Sequence, residues 1–232
     1  MTTFGDLLRL LTTEAPGTRF DDPAALRRRR WVILAFVILG AAVLGISLSV
    51  KPGDSSFYPL TVALAAVWLA GGFLSGPIRL GRFGFRHSPT AATAAALGTA
   101  TGLAVGAAFV LGALVTREIP PLSDLVTRVL AFRDEGSLAA VTAITLGNGL
   151  AEEVFFRGAV YSAVQRHRPI VVSTVLYVAA TLASGNPMLG FAAIILGAVC
   201  AVLRRCTDGV LAPICTHVVW GAIVLFALPP IF

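Results

Sequence analysis

The chain has 232 residues, of which 56% are hydrophobic and 13% charged, where an ordinary soluble domain carries roughly a quarter charged residues. That composition excludes a water-soluble globule, and long runs of Ala, Val, Leu and Ile fit a lipid-embedded helical bundle instead. The formal charge of +6 does not mark a nucleic-acid partner, because the arginines sit between apolar runs and form no stripe on one soluble face.

Residues 1–30 are the only extended polar region and read as a cytoplasmic lead-in. Phe4, Leu7, Leu8 and Leu11 fall at helical spacing ahead of Arg27-Arg28-Arg29-Arg30, a pattern suited to a helix lying on a membrane surface. The basic stretch starts too late, and the apolar run behind it is too long, for a cleaved secretory signal, so the segment is expected to be retained.

Seven apolar stretches follow, near 31–50, 58–78, 91–115, 138–164, 170–184, 187–203 and 209–230, most of them close to the ~20 residues that cross a bilayer. The predicted fold is an all-α, polytopic transmembrane bundle of about seven spans, with an eighth allowed. Its N-terminal spans occupy 31–137 and a second unit 138–232. Gly98-x-x-x-Gly102-x-x-x-Gly106 offers a close-packing helix face, expected to serve packing within the chain. The stretch Arg117 to Gly136 is long for a loop and holds Leu122, Leu125, Val126, Val129 and Leu130, which predicts an interfacial amphipathic helix. Between the fifth and sixth stretches only Ser184-Gly185-Asn186-Pro187 remains, and this punctuation predicts a tight antiparallel pair, not one kinked helix.

Basic residues set the orientation, because Lys and Arg accumulate on the cytoplasmic side. With the N-terminus inside, 13 of the 18 basic residues fall on the inner side, four on the outer side (Lys51, Arg117, Arg128 and Arg133), and Arg157 within a span. The expectation is a multi-pass protein of the cell membrane with a cytoplasmic N-terminus. Cys200, Cys206 and Cys215 show no CxxC spacing and read as small buried or cytosolic thiols.

The informative segment is Ala151-Glu152-Glu153-Val154-Phe155-Phe156-Arg157-Gly158. A charge near the centre of a spanning helix costs about 2.5–3.5 kcal/mol, so such groups persist when paired, turned inward or functional. Glu153 and Arg157 stand four apart with the acid first, the favourable order for a same-face pair. Glu152 points about 100° away, on a polar stripe with Asn148 and Thr145. Apolar surroundings suit a carboxylate to general-base work; the alternative is a purely structural salt-bridge knot. His217, in Ala212-Pro213-Ile214-Cys215-Thr216-His217, is the other intramembrane titratable group. At ~1.5 Å per residue it lies about 13 Å from Asp208, and Glu152 about 18 Å from Val164, so the two are expected at similar depth around a buried water. His87 and His167 belong to arginine-rich loops and are expected at the surface.

Glu152-Glu153-x-x-x-Arg157, with the run EEVFFRGAVYSA from Glu152, the stretch Asn186-Pro187 to Arg205, and VLAPICTHVVWG from Val210 to Gly221, resembles the CAAX protease and bacteriocin-processing family, also called the Abi or type II CAAX prenyl endopeptidase family of intramembrane proteases. The likeness spans about 138–230. It implies Glu152 as the base that activates water, Glu153 and Arg157 as its supporting pair and His217 as the histidine of the last motif. Two positions depart from the family pattern. Thr181 stands where the FxxxH histidine belongs, in Tyr177-Val178-Ala179-Ala180-Thr181, and Gly221 where the HxxxN asparagine belongs. Zinc is the cofactor the family implies, with Glu152 and His217 as ligands, but catalytic zinc usually takes three protein ligands. A metal-free route would have Glu152 deprotonate water while His217 or Thr181 donates to the oxyanion, with Asn148 in place of the lost amide. The expected activity is endoproteolysis of a membrane-associated protein or peptide in a cavity open toward the cytoplasm, with Asn148 and Thr181 at the substrate. The competing readings are a catalytically degenerate scaffold or immunity-type binding protein, and a small transporter, for which no paired halves are visible.

Overall fold

The computed structural model describes residues 22–83, 90–135 and 137–232; the apolar positions Phe4 to Leu11, and His87, lie outside the described residues. Eight helical stretches follow one another: α1 Pro23–Ser49, α2 Phe57–Ser75, α3 Ala91–Thr116, α4 Pro120–Asp134, α5 Leu138–Ala163, α6 Pro169–Leu182, α7 Pro187–Thr207 and α8 Leu211–Ala227. Six of these segments are long and apolar enough to cross a membrane: α1, α2, α3, α5, α7 and the stretch Leu211–Ile231. The fifth predicted stretch is helical too, but α6 has 14 residues, about 21 Å of helix against a hydrocarbon core of ~30 Å. The described residues thus hold six long spans and one short apolar helix in place of seven full spans.

α1 begins earlier than the sequence suggests. Asp22 caps it by accepting from the Ala25 amide, and Pro23 occupies the first turn, the position where a missing N–H costs nothing. Arg27 to Arg30 therefore lie in the same continuous helix as the first apolar run. Arg29 is 3% exposed and donates to the Ser75 and Pro77 carbonyls at 3.2 and 3.0 Å, while Arg30 donates to Ala163 O at 3.2 Å. Both satisfy carbonyls at helix C-termini, where cations are favoured.

α3 packs along α8 on its glycine face. A Cβ on Gly102 would lie 2.8 Å from Thr216 O, Gly98 abuts Ala212 and Gly106 abuts Ile223, so the two backbones approach closely. Thr216 Oγ1 spans the seam to Gly98 O at 2.8 Å. The glycine repeat serves intrachain packing, as expected. α4 is a helix where the sequence predicts one, and α6 and α7 form the predicted antiparallel hairpin. Its turn uses Gly185 at φ 73°, a left-handed value open to glycine, and Asn186, which accepts from Met188 N at 2.9 Å.

α5 runs through the middle, against α1, α2, α6, α7 and α8. Its anchor is a ring cluster in which Trp68 lies 4.9 Å from Phe155 and 5.1 Å from Phe156, and Phe156 lies 5.0 Å from Tyr177. Trp31, Phe73, Leu80 and Leu111 are about two-thirds exposed, the lipid-facing rim such a bundle requires.

Candidate active site

α5 is a regular α-helix from Leu138 to Glu153 and then widens into a π-helical turn over Val154–Val160, where the Tyr161 amide bonds the Phe156 carbonyl five residues back. Such turns recur at functional sites. Every residue of this one is buried, and the Arg157 carbonyl accepts from Arg204 Nε of α7 at 2.9 Å.

Four of the residues singled out in the sequence converge at this junction. Arg157 and Glu153, both 0% exposed, pair at 3.1 Å, and the guanidinium also donates to Gly197 O at 3.0 Å. Glu153 Oε1 lies 2.8 Å from His217 Nδ1. With Glu153 ionised against Arg157, Nδ1 carries the hydrogen and Nε2 of the neutral ring is an acceptor. Nε2 faces Glu152 Oε2 at 3.9 Å, a spacing that lets one water reach both at hydrogen-bonding distance. The imidazole edge meets Trp220 at 5.6 Å between centroids. It also lies against Gly149, where a Cβ would come within 2.9 Å of its Cδ2.

The residue that the sequence reading missed is Tyr177, whose hydroxyl donates to Glu152 Oε2 at 2.8 Å. Its ring lies under the Arg157 guanidinium at 4.6 Å. The signal was its place at the head of Tyr177-x-x-x-Thr181, the slot of the family's phenylalanine, where a hydroxyl adds polar chemistry. Thr181 itself donates to Tyr177 O at 2.9 Å, so its one hydrogen is spent within its own helix. Asn148 gives both amide hydrogens to the Thr61 and Ile144 carbonyls, and its Oδ1 has no partner among the described residues. It can only accept, which removes the idea that it replaces a lost amide donor.

Glu152, His217, Tyr177, Asn148 and Thr181 all border one cavity of about 220 Å³. The cavity extends to Leu48 near the end of α1, Phe57 at the start of α2 and Leu189 at the start of α7. Those helix ends lie opposite the arginine-rich connections. A mouth on the arginine-rich side was expected, but there every residue of the π-helical turn, with Cys200 and Ala201, is buried.

Residues 134–223 match the family model for type II CAAX prenyl endopeptidases, Rce1-like. This Rce1-like segment contains Asn148, Glu152, Glu153, Arg157, Tyr177, Thr181 and His217, so the resemblance read from the sequence holds over the segment where these residues meet, and the family is one of membrane proteases. No curated protein and no solved structure matches the chain.

The zinc expected from the sequence resemblance needs a donor set, and among the described residues no three His, Cys, Asp or Glu side chains form a metal-binding group. Glu153 is committed to Arg157 and His217 Nδ1, which leaves Glu152 and His217 Nε2, one short of the usual three. The residues present do not fit a three-ligand zinc centre.

Proposed function

We propose that this chain is an intramembrane endopeptidase that hydrolyses a peptide bond of a membrane-associated protein or peptide, with Glu152 as general base. The observation that carries this reading is the meeting of Glu152 and His217 Nε2, 3.9 Å apart, on the wall of a cavity inside a bundle of spanning helices.

A water between the two would give one hydrogen to Glu152 and hydrogen-bond His217 Nε2 with the other, which aims its lone pair. The hydroxide formed attacks the peptide carbonyl carbon. Once Glu152 takes up the proton it no longer needs the Tyr177 hydroxyl, whose hydrogen, until then held on Glu152, turns to the developing oxyanion. His217 loses the donor role first assigned to it, because Nδ1 already holds the ring's hydrogen on Glu153. Glu152 then passes its acquired proton to the amide nitrogen as the C–N bond breaks, yielding a carboxyl and an amine and restoring the carboxylate. Glu153 and Arg157 position His217 and do not touch the reacting atoms.

The test is to compare protein N-termini in membranes of cells carrying the wild-type chain, Glu152→Gln, or a deletion. The proposal expects at least one N-terminus present with the wild type and missing from both others. Identical N-termini in all three, with a phenotype on deletion alone, would establish the scaffold reading in its place.

A further inference from the structure

We infer that the substrate reaches Glu152 and His217 from the extracytoplasmic side of the membrane, as an uncharged, extended segment exposed at or just within the outer leaflet. The naming of what enters rests on the hydrolase reading; the side of entry does not.

Three independent features point the same way. The first is the extent of the cavity, which runs from Glu152 and His217 to the ends of helices beside the 50–56 and 183–186 connections. The second is the closure behind the acids. Glu153, Arg157, Phe155, Ala159 and Val160 are 0% exposed, and Arg204 locks this layer by holding the Arg157 carbonyl at 2.9 Å and Asp208 at 3.1 Å. The third is charge: among the described residues the closed end carries ten basic side chains (Arg27 to Arg30, Arg79, Arg82, Arg166, Arg168, Arg204 and Arg205) and the cavity end four, an asymmetry that favours the closed end in the cytoplasm.

α4 borders the mouth. Its Phe132 ring lies 4.7 Å from Phe57, which lines the cavity, and Asn186 Nδ2 holds the Leu125 carbonyl at 2.7 Å. A surface helix placed there admits a chain segment lying along the outer interface. Beyond Glu152 and His217 the polar lining is Ser47, Thr61, Thr145, Asn148, Tyr177 and Thr181, all neutral groups. Ser47 and Thr61, like Thr181, give their hydrogens to their own helices, so the lining offers acceptor oxygens to the N–H groups of a peptide backbone and has no charge to receive a charged side chain.

Labelling with a membrane-impermeant maleimide in sealed right-side-out and inverted membrane vesicles tests this without a substrate. Ser55→Cys and His167→Cys mark the two surfaces, both positions being exposed, and Thr145→Cys reports the cavity, with Thr61→Cys as a second reporter should the first not accumulate. Signals are read against the parent chain, whose three cysteines are buried or half-buried. The inference expects Ser55→Cys and the cavity reporter to label several-fold above the parent in right-side-out vesicles, and His167→Cys to label only in inverted ones. A cavity reporter that labels together with His167→Cys overturns it, as does one that labels from neither face while Ser55→Cys reacts. Reactivity of Ser55→Cys only in inverted vesicles reverses the orientation and overturns it too. Outer-face labelling combined with unchanged N-termini in the Glu152→Gln comparison would leave the entry side standing and remove the protease.

Discussion

Gly149 isolates the positioning of His217 from its chemistry. A methyl added there would sit 2.9 Å from the imidazole Cδ2, 3.3 Å from Nε2 and 3.4 Å from Cγ. Restoring ordinary contact requires the ring to retreat by about 0.5 Å, and a 1 Å misplacement of a catalytic group can cost about 100-fold in rate. The ring cannot turn aside freely, since Nδ1 is held by Glu153 at 2.8 Å and Trp220 meets its edge. Gly149→Ala is therefore expected to slow cleavage about tenfold or more, with overpacking of about 1–3 kcal/mol partly offset by the ~1 kcal/mol gain in helix propensity. The assay is the cleavage rate of the substrate found through Glu152→Gln, alongside thermal unfolding in detergent. Gly147→Ala is the control, because nothing lies within 4 Å of its Cβ and the same propensity gain applies. Equal cleavage rates for the two variants would refute the claim that the seat of His217 against α5 matters.

Tyr177→Phe keeps the ring against Phe156 and Arg157 but removes the hydroxyl bonded to Glu152. Cleavage should fall about 100-fold or more, the usual loss for an oxyanion donor, with thermal stability near wild type; a rate within a few-fold of wild type sets the donor role aside. Arg157→Met leaves Glu153 buried without its cation at a cost of about 3–5 kcal/mol, so the chain should fail to accumulate in membranes, and normal yield measured by immunoblot would contradict the pairing. Thr181→Val removes a hydroxyl whose hydrogen is held within its own helix and should leave the cleavage rate nearly unchanged; a large loss would return Thr181 to the substrate. Incubation with a strong zinc chelator should leave cleavage intact, and a loss reversed by added zinc would show a metal site that the donor set does not reveal.

The helices and their pairing were legible because lipid demands that every backbone group be satisfied within a segment, so apolar runs translate directly into helices. The glycine face of α3, the α6–α7 turn and the helix α4 all follow from local chemistry of that kind. What escaped was set by neighbours. The π-helical turn breaks the 3.6 period at Val154, and no residue there announces it. Tyr177 reads as an aromatic core position until α5 brings Glu152 within 2.8 Å of its hydroxyl. The direction in which the cavity opens depends on which end of the bundle is packed solid, which pattern alone does not encode. Depth, by contrast, was readable, because counting residues from the helix ends put Glu152 and His217 at one level.

The trio at the α5 junction divides into a part that packing explains and a part that it does not. Glu153 and Arg157 form a closed pair, 0% exposed and hydrogen-bonded to the backbone of α7, and such a pair is a self-consistent structural solution, though apolar residues of similar volume are often as stable. Glu152 has no such account. It has no cation partner of its own, its side chain is 18% exposed on the cavity wall, and its hydrogen bond comes from a neutral tyrosine. Replacing it with leucine would remove a charge that costs about 2.5–3.5 kcal/mol near the centre of a span and would leave the Glu153–Arg157 pair intact. A group whose removal should stabilise the bundle is therefore expected to separate stability from activity: Glu152→Leu should unfold at a higher temperature than the wild type while losing cleavage. A variant that unfolds at a lower temperature would make Glu152 a structural member of the knot, and the base would have to be sought in His217.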